Sequence, residues 1–163
     1  GYLPLGGVYV SYRVADVLID KGGEFFHGYT YSGHPAACAV AIANVRLMQR
    51  ERMVERIQSD IGPYLQQRWQ KLAEHPLVGD TRMVGLMGAF EIVKTKDPQQ
   101  RYEEKLGAGT VFRDALMELG VCMRAVGDTI ICAPPFILSH QEADEMIDKA
   151  WQALDRIQKT LSA

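Results

Sequence analysis

Cysteine is scarce in this chain, and its spacing excludes two classes of small protein. The three cysteines among 163 residues are Cys38, Cys122 and Cys132, and no two of them form a C-x-x-C pair. This odd, scattered set argues against a disulfide framework or a structural zinc site and favours a reducing compartment, which predicts a cytoplasmic protein. The four histidines are scattered, with no two at positions i and i+4, so the sequence predicts no metal site.

Long hydrophobic runs and a large net charge are also missing. No apolar stretch approaches the roughly 20 residues that span a bilayer, which predicts that the chain does not cross a membrane. The formal net charge of −2 gives no electrostatic reason to bind nucleic acid or an anionic lipid surface. A 163-residue chain that is 47% hydrophobic and 23% charged is typical of a single globular domain with its own core.

The first residues have no signal-peptide pattern. The chain opens on Gly1 instead of Met and continues directly into a segment rich in glycine and proline. There is no basic region followed by an apolar segment and a small-residue cleavage site. The opening resembles the middle of a loop, so we expect the chain to be the C-terminal part of a longer protein.

Hydrophobic periodicity predicts mainly helices in the first half of the chain. We expect a short strand at residues 6–11, a helix at residues 14–19, and a second helix that begins at Pro35, where a missing N–H costs nothing. An amphipathic stripe continues through residues 54–72, and Gly62-Pro63 inside it predicts a kink or a break.

The second half is predicted to fold as an antiparallel sheet covered by helices. The expected order is a strand at 81–93, a charged loop at 94–105, a helix at 110–119, a hairpin at 121–133 and a last helix opened by a capping box. This order is typical of an α+β layer.

The hairpin can be predicted in register. Gly127-Asp128 is a two-residue loop of the kind that forms a type II′ turn. This turn places Arg124 opposite Ile131, and it puts Cys122 and Cys132 on opposite faces of the sheet, so that they do not form a disulfide.

Residues 24–35 form the segment richest in groups that can hydrogen-bond. Hydroxyls, imidazoles and glycine-flanked backbone N–H groups stand there just before a helix N-terminus. Unpaired N–H groups and the helix dipole favour an anion at such a place. A purely structural role stays open, because polar aromatic loops before helices are common.

Arg124 is the second candidate. It lies within a predicted strand between Met123 and Ala125, and a guanidinium among apolar neighbours needs a carboxylate or phosphate partner because it stays charged. The alternative is an arginine on an edge strand that points into water. Lys21 ends a short helix, where a cation complements the dipole, so we interpret it as structural.

Three motifs, in order, resemble one family. They are Gly-Tyr-Leu-Pro-Leu-Gly-Gly at 1–7, Phe-His-Gly-Tyr-Thr-Tyr-Ser-Gly-His-Pro at 26–35, and Met-Arg-Ala-Val-Gly-Asp-Thr-Ile-Ile with Ala-Pro-Pro at 123–135. The chain is similar over its whole length to the class III, or omega, aminotransferases, which use pyridoxal 5′-phosphate (PLP) on the fold type I scaffold. Within that family it most resembles the putrescine (diamine) and amine–pyruvate aminotransferases.

The resemblance implies roles for three residues. Thr30, with the backbone N–H of Tyr29, corresponds to the pair that binds the cofactor phosphate of the partner subunit across a homodimer interface. Arg124 corresponds to the mobile arginine that pairs with the carboxylate of the amino acceptor and swings away for a substrate without one. A planar fork on a flexible stem suits both tasks.

The resemblance also implies a division of the chain. Residues 1–50 would be the C-terminal tail of the large PLP-binding domain, and residues 51–163 would be the small C-terminal α+β domain. The Schiff-base lysine of the family would lie upstream of Gly1, so no catalytic residue is expected in this chain, and the isolated chain is expected to be inactive.

The implied activity is transfer of an amino group from a putrescine-like diamine or a monoamine to pyruvate or a similar keto acid, by a homodimer or higher homo-oligomer. Two alternatives stay open: another class III reaction, such as an aminomutase or a decarboxylase, or a non-catalytic domain that binds a ligand or dimerises through residues 24–35. A lysine codon shortly before Gly1 would favour the enzyme.

Overall fold

A computed structural model of the chain describes residues 3–161. Those residues form two compact units, one up to Glu51 and one from Arg52 onward. The α-helices of the described residues are α1 (Tyr12–Lys21), α2 (Pro35–Arg50), α3 (Met53–Arg56), α4 (Gly62–Lys71), α5 (Ala108–Glu118) and α6 (His140–Leu161). The strands are β1 (Val78–Val84), β2 (Met87–Ile92), β3 (Thr95–Lys96), β4 (Gln99–Gln100), β5 (Arg124–Val126) and β6 (Thr129–Cys132). Among the described helices, none is both long enough and apolar enough to cross a bilayer.

The first unit consists of helices α1 and α2 with connecting loops. The strand predicted at residues 6–11 does not form, because a strand needs hydrogen bonds from a neighbour and no described segment of the chain pairs with it. Pro35 opens α2 as predicted. Of the residues described up to Glu51, only Ala37 is buried, so this unit by itself does not cover the apolar sides of its two helices.

The helical region of the second unit contains a π-helical turn. Residues Ile57–Ile61 follow α3 as a π-helix, and the N–H of Gly62 donates to the Ile57 carbonyl, five residues back. Pro63 has no N–H to donate, and its ring would crowd the carbonyl four residues before it in a regular α-helix. The wider turn accommodates that proline, so the predicted disturbance at Gly62-Pro63 is a π-helical turn from which α4 continues.

Four strands form one antiparallel sheet in the order β1-β2-β6-β5. The single strand predicted over residues 81–93 was wrong: β1 ends at Val84, Gly85 takes a left-handed conformation with φ +58°, and β2 returns beside β1. Glycine adopts such a backbone conformation without a steric cost, which is why a tight turn forms there. The charged loop predicted after this hairpin contains the short pair β3 and β4.

The hairpin predicted at residues 121–133 forms in the predicted register, but its first strand begins only at Arg124. Val126 pairs with Thr129 and Arg124 pairs with Ile131 across the Gly127-Asp128 turn. Cys122 is exposed and Cys132 is buried, and both are free thiols. Burial raises the pKa of Cys132 to about 12.

The core lies between one face of this sheet and helices α4, α5 and α6. Trp69, Phe90 and Phe112 are fully buried there, with ring centroids 5.5 Å apart for Trp69–Phe90 and 5.3 Å for Phe90–Phe112. The indole N–H of Trp69 donates to the Ala89 carbonyl of β2 at 3.2 Å, which satisfies the one polar atom that this ring brings into the core.

The predicted capping box opens α6. The Ser139 N–H and hydroxyl donate to the Glu142 carboxylate at 2.8 and 2.7 Å, and the Glu142 N–H donates to the Ser139 oxygen at 3.2 Å. These bonds lower the pKa of Glu142, because they stabilise its charged form.

His75 is a polar side chain buried at the edge of this core. Its Nδ1 accepts from the Leu77 N–H at 3.2 Å, so the neutral ring carries its proton on Nε2, which donates to Asp155 of α6 at 3.2 Å. The Trp151 and His75 rings pack edge to face, with their centroids 5.1 Å apart. Burial lowers the pKa of His75, and the Lys96 charge acts in the same direction, whereas Asp155 opposes both.

We predict that acid destabilises the folded protein through His75. Its folded pKa lies below the ordinary value of 6.5, so the unfolded chain takes up the proton first as the pH falls. The His75 contribution is therefore complete above pH 6.5 and is lost as the pH falls through the lowered folded pKa. Urea denaturation across about pH 5–8 measures it.

His75→Gln is the control for this prediction, because it removes the titrating ring and keeps a polar side chain. The free energy of unfolding should depend less on pH in the variant than in the wild type below about pH 6.5. Equal pH dependence in the two proteins would contradict the assignment.

Candidate functional site

The first candidate site is the loop that precedes α2. Residues 30–33 form a turn: the Ser32 N–H donates to the Tyr29 carbonyl at 2.9 Å, and the His34 N–H donates to the Tyr31 carbonyl at 3.2 Å. Gly33 has φ +70°, a conformation that glycine adopts readily. These hydrogen bonds thus fix the backbone that carries Tyr29 and Thr30 just before α2.

The helix N-terminus behind this turn already has a cap. His34 is the N-cap of α2, and its Nδ1 accepts from the Ala37 N–H at 3.3 Å. One of the unpaired donors that the sequence suggested for an anion is therefore satisfied within the chain. The Ala36 N–H in the first turn of α2 has no hydrogen-bond partner among the described residues, so unpaired donors remain there as well as at Thr30 in the preceding turn.

Tyr29 and Thr30 differ in what their polar groups do. The backbone N–H of Tyr29 donates to the Ser32 hydroxyl at 3.0 Å. Thr30 is exposed, and within residues 3–161 neither its hydroxyl nor its N–H has a hydrogen-bond partner. A hydroxyl and an adjacent amide are donors that a phosphate accepts, so the donor set fits a cofactor phosphate, with Thr30 the more available of the two residues.

The second candidate site is the sheet face opposite the core. Alternate residues of each strand point there, and partners in register connect Arg82, Ala89, Ile131 and Arg124 across the four strands. Arg82 and Arg124 thus stand on opposite edge strands of the same face, separated by two apolar residues.

Only one of these two arginines has ionic partners in the described chain. Arg82 binds Asp80 at 2.8 Å and Glu91 at 3.0 Å, and Arg101 binds the other oxygen of Glu91 at 2.8 Å. Arg124 is exposed, and within the described residues no carboxylate or carbonyl accepts from it. Its guanidinium is therefore free to bind a carboxylate that comes from outside this unit.

The turn beside Arg124 carries a contact that sequence reasoning missed. The Asp128 carboxylate accepts from the backbone N–H of Gly109 in α5 at 3.0 Å. Burial, followed by the negative charge of Asp128, raises the pKa of the nearby Tyr102. The sequence did contain a signal for this contact. The N-cap of α5 is Gly107, which has no side chain to accept a hydrogen bond, so a residue from another element was needed to cap the helix.

Other positions offer little chemistry. Lys21 is the last residue of α1, as the structural interpretation expected. A cleft of about 480 Å³ at the end of the sheet is lined mostly by apolar side chains, with Gln58 as its polar one. No group of three or more His, Cys, Asp or Glu side chains among residues 3–161 is arranged to hold a metal ion.

Comparison with known proteins gives related results at the family, sequence and structure levels. Residues 1–154 match the family model for Aminotransferase class-III. The chain is 47% identical over 156 residues to the putrescine–pyruvate aminotransferase of Pseudomonas aeruginosa, and the match covers 96% of this chain and 34% of that protein. It is 37% identical over 161 residues to the mitochondrial gamma aminobutyrate transaminase 1 of Solanum lycopersicum, covering 97% of this chain and 31% of that protein.

A solved structure agrees in fold. A transaminase from the marine bacterium Virgibacillus superposes with a TM-score of 0.88 at 37% identity, over 99% of this chain and 38% of that one. The chain therefore spans about a third of the length of the relatives that it matches. Family model, sequence identity and fold agree, and the chain belongs to the class III aminotransferases, a PLP-dependent family.

Proposed function

We propose that the protein containing this chain transfers an amino group from an amine to pyruvate or a similar keto acid, with PLP as its cofactor. The observation that carries the proposal is the 47% identity to a putrescine–pyruvate aminotransferase over 96% of the chain. The exposed, unpaired Arg124 supports it, because a keto acid brings the carboxylate that this guanidinium lacks.

The cofactor supplies the electron sink that allows a proton to leave the carbon next to the amine nitrogen. On this proposal Thr30 binds its phosphate through the exposed hydroxyl and N–H. Tyr29 contributes its N–H after exchanging the Ser32 oxygen for a phosphate oxygen, at the same donor atom. By the family resemblance, the phosphate belongs to the partner subunit of a homodimer.

Arg124 recognises the acceptor. Two parallel N–H···O bonds from a guanidinium hold a carboxylate in one orientation, which fixes the adjacent keto carbon for amino transfer. A diamine or monoamine donor has no such carboxylate. The side chain therefore turns toward solvent in the first half-reaction and toward the acceptor in the second.

The division of the chain fits the same proposal. We assign residues 1–50 to the tail of the large PLP-binding domain and residues 51–163 to the small C-terminal domain. The uncovered apolar residues of α1 and α2 support the assignment, because such surfaces need another part of a protein to cover them. The Schiff-base lysine then belongs to the remaining two thirds of the enzyme.

The activity itself is tested on the full-length protein. Purified protein with PLP, putrescine and pyruvate should form alanine, which chromatography of the reaction mixture measures. Gamma aminobutyrate serves as a second donor, because several relatives act on it by name. If no amine gives alanine, the proposed transfer to pyruvate is contradicted, and another class III reaction or a non-catalytic binding domain is favoured.

We predict that Arg124→Ala weakens use of the keto acid far more than use of the amine. Loss of a bidentate charge pair costs on the order of 2–3 kcal/mol, which corresponds to a rise in KM for pyruvate of roughly 30- to 150-fold. Single-turnover kinetics of each half-reaction separates the two effects, because the first half-reaction uses the amine alone.

Arg82→Ala is the matched control. It removes the same side chain from the same sheet face, but that guanidinium is already bound to Asp80 and Glu91. The KM for pyruvate should stay near the wild-type value in this variant. Equal losses in both half-reactions of Arg124→Ala would contradict the acceptor role.

We predict that Thr30→Val weakens PLP binding by about tenfold or more, because a hydrogen bond to a charged group contributes about 1.5–3 kcal/mol. Valine keeps the shape of the side chain and removes only the hydroxyl. Equilibrium dialysis against PLP measures the dissociation constant, and Thr30→Ser, which keeps a hydroxyl, should retain most of the affinity. Unchanged affinity in the valine variant would remove Thr30 from the phosphate site.

A further inference from the structure

The N-terminus of α5 depends on a residue from another element. Its N-cap, Gly107, has no side chain, and its first turn contains no acidic residue. The Asp128 carboxylate fills this place from the β5–β6 turn, accepting from the Gly109 N–H at 3.0 Å. An anion at a helix N-terminus is favoured by both the hydrogen bond and the helix dipole.

Gly109 brings helix and turn into close backbone contact. A Cβ added at this buried glycine would lie 2.0 Å from the Gly127 carbonyl oxygen and 3.1 Å from the Asp128 Cα. No side chain fits in that distance, so the helix can approach the turn this closely only with glycine at position 109. The close contact involves both residues of the turn, and the cap involves the second of them, Asp128.

Asp128 is also held from the sheet. Its backbone carbonyl accepts from the Ile92 N–H at the end of β2 at 2.9 Å. The turn is thus anchored through the Asp128 side chain to α5 and through the Asp128 main chain to a central strand of the sheet.

Arg124 begins the edge strand that leads into this turn. β5 is an edge strand and pairs only with β6, through Arg124–Ile131, Ala125–Ile130 and Val126–Thr129. The Arg124 side chain has no partner among the described residues that would fix it. The position of its backbone therefore depends on how the hairpin is anchored at its turn.

We propose that Asp128 and Gly109 are positioning residues for Arg124, and that they determine how well the enzyme binds the keto-acid carboxylate. The proposal rests on the acceptor role of Arg124. A flexible guanidinium can serve two substrates only if its Cα stays in place, and the cap with the glycine contact supplies that fixed base. Displacement by about 1 Å at a distance from the chemistry can cost on the order of 100-fold.

The test uses the full-length enzyme and three variants. Asp128→Ala removes the cap and should raise the KM for pyruvate at least about tenfold, with the amine half-reaction within about twofold of wild type. Asp128→Asn keeps an acceptor oxygen for the Gly109 N–H and should restore most of the loss. Gly109→Ala should act in the same direction as Asp128→Ala; should it fail to fold, the two Asp128 variants carry the test.

Ser139→Ala is the matched control for a general loss of stability. It removes the cap of α6 in the same compact unit, and the side-chain hydrogen bonds of that cap join Ser139 to Glu142 and not to the hairpin. Thermal unfolding of both cap variants measures how much each substitution destabilises the protein, so that their KM values are compared at known stability. The KM for pyruvate should rise in Asp128→Ala alone; an equal rise in both variants would overturn the proposal.

The double variant Arg124→Ala, Asp128→Ala separates this proposal from the acceptor role itself. If Asp128 acts through Arg124, the KM of the double variant for pyruvate should be close to that of Arg124→Ala alone. Additive effects would overturn the positioning role while leaving the acceptor role intact. An Arg124→Ala variant with wild-type KM would refute the acceptor role, and the positioning proposal with it.

Discussion

The four-stranded sheet gives one face to the apolar core, and this constraint determines where polar chemistry can occur in the second unit. Alternation along each strand sends Phe90 and Ile130 inward to meet α4, α5 and α6, so that Arg82, Glu91 and Arg124 face outward. Burial of the aromatic rings is worth about 1.5–3 kcal/mol for each side chain, which makes a slip in register unfavourable. The outward position of Arg124 is therefore a consequence of core packing.

On the outward face of the sheet, ion pairs occupy the arginines at one edge, whereas Arg124 at the other edge has no ionic partner among the described residues. Arg82 and Arg101 share Glu91, whose carboxylate lies between them and is 15% exposed. Both arginines of these ion pairs are largely exposed, so the pairs contribute little to stability, but they occupy the guanidinium groups of Arg82 and Arg101. Arg124, at the other edge, is the arginine of this face left to meet a ligand, and Asp128 restrains the hairpin on which it stands.

The loop before α2 is held by local hydrogen bonds and not by packing against a core. Its backbone is held by its own turn and by the His34 cap, and its aromatic side chains, Tyr29 and Tyr31, are largely exposed. The neighbouring residues of the turn form hydrogen bonds with one another, and the Thr30 hydroxyl and N–H have no partner among the described residues. A preformed turn with outward donors suits recognition of a group carried by another part of the protein, which agrees with the proposed phosphate contact across a subunit interface.

The sequence by itself determined the α5, β5–β6 and α6 elements, the Arg124–Ile131 register and the Ser139–Glu142 cap, because these follow from local periodicity, a two-residue turn and bonds within four residues. Its motifs also identified the family. The tertiary structure alone decided the turn at Gly85, the π-helical turn before Gly62 and the absence of a strand at residues 6–11. It alone joined Asp128 to Gly109 and His75 to Asp155, since these partners are 19 and 80 residues apart, and only the packed fold brings them within hydrogen-bond distance.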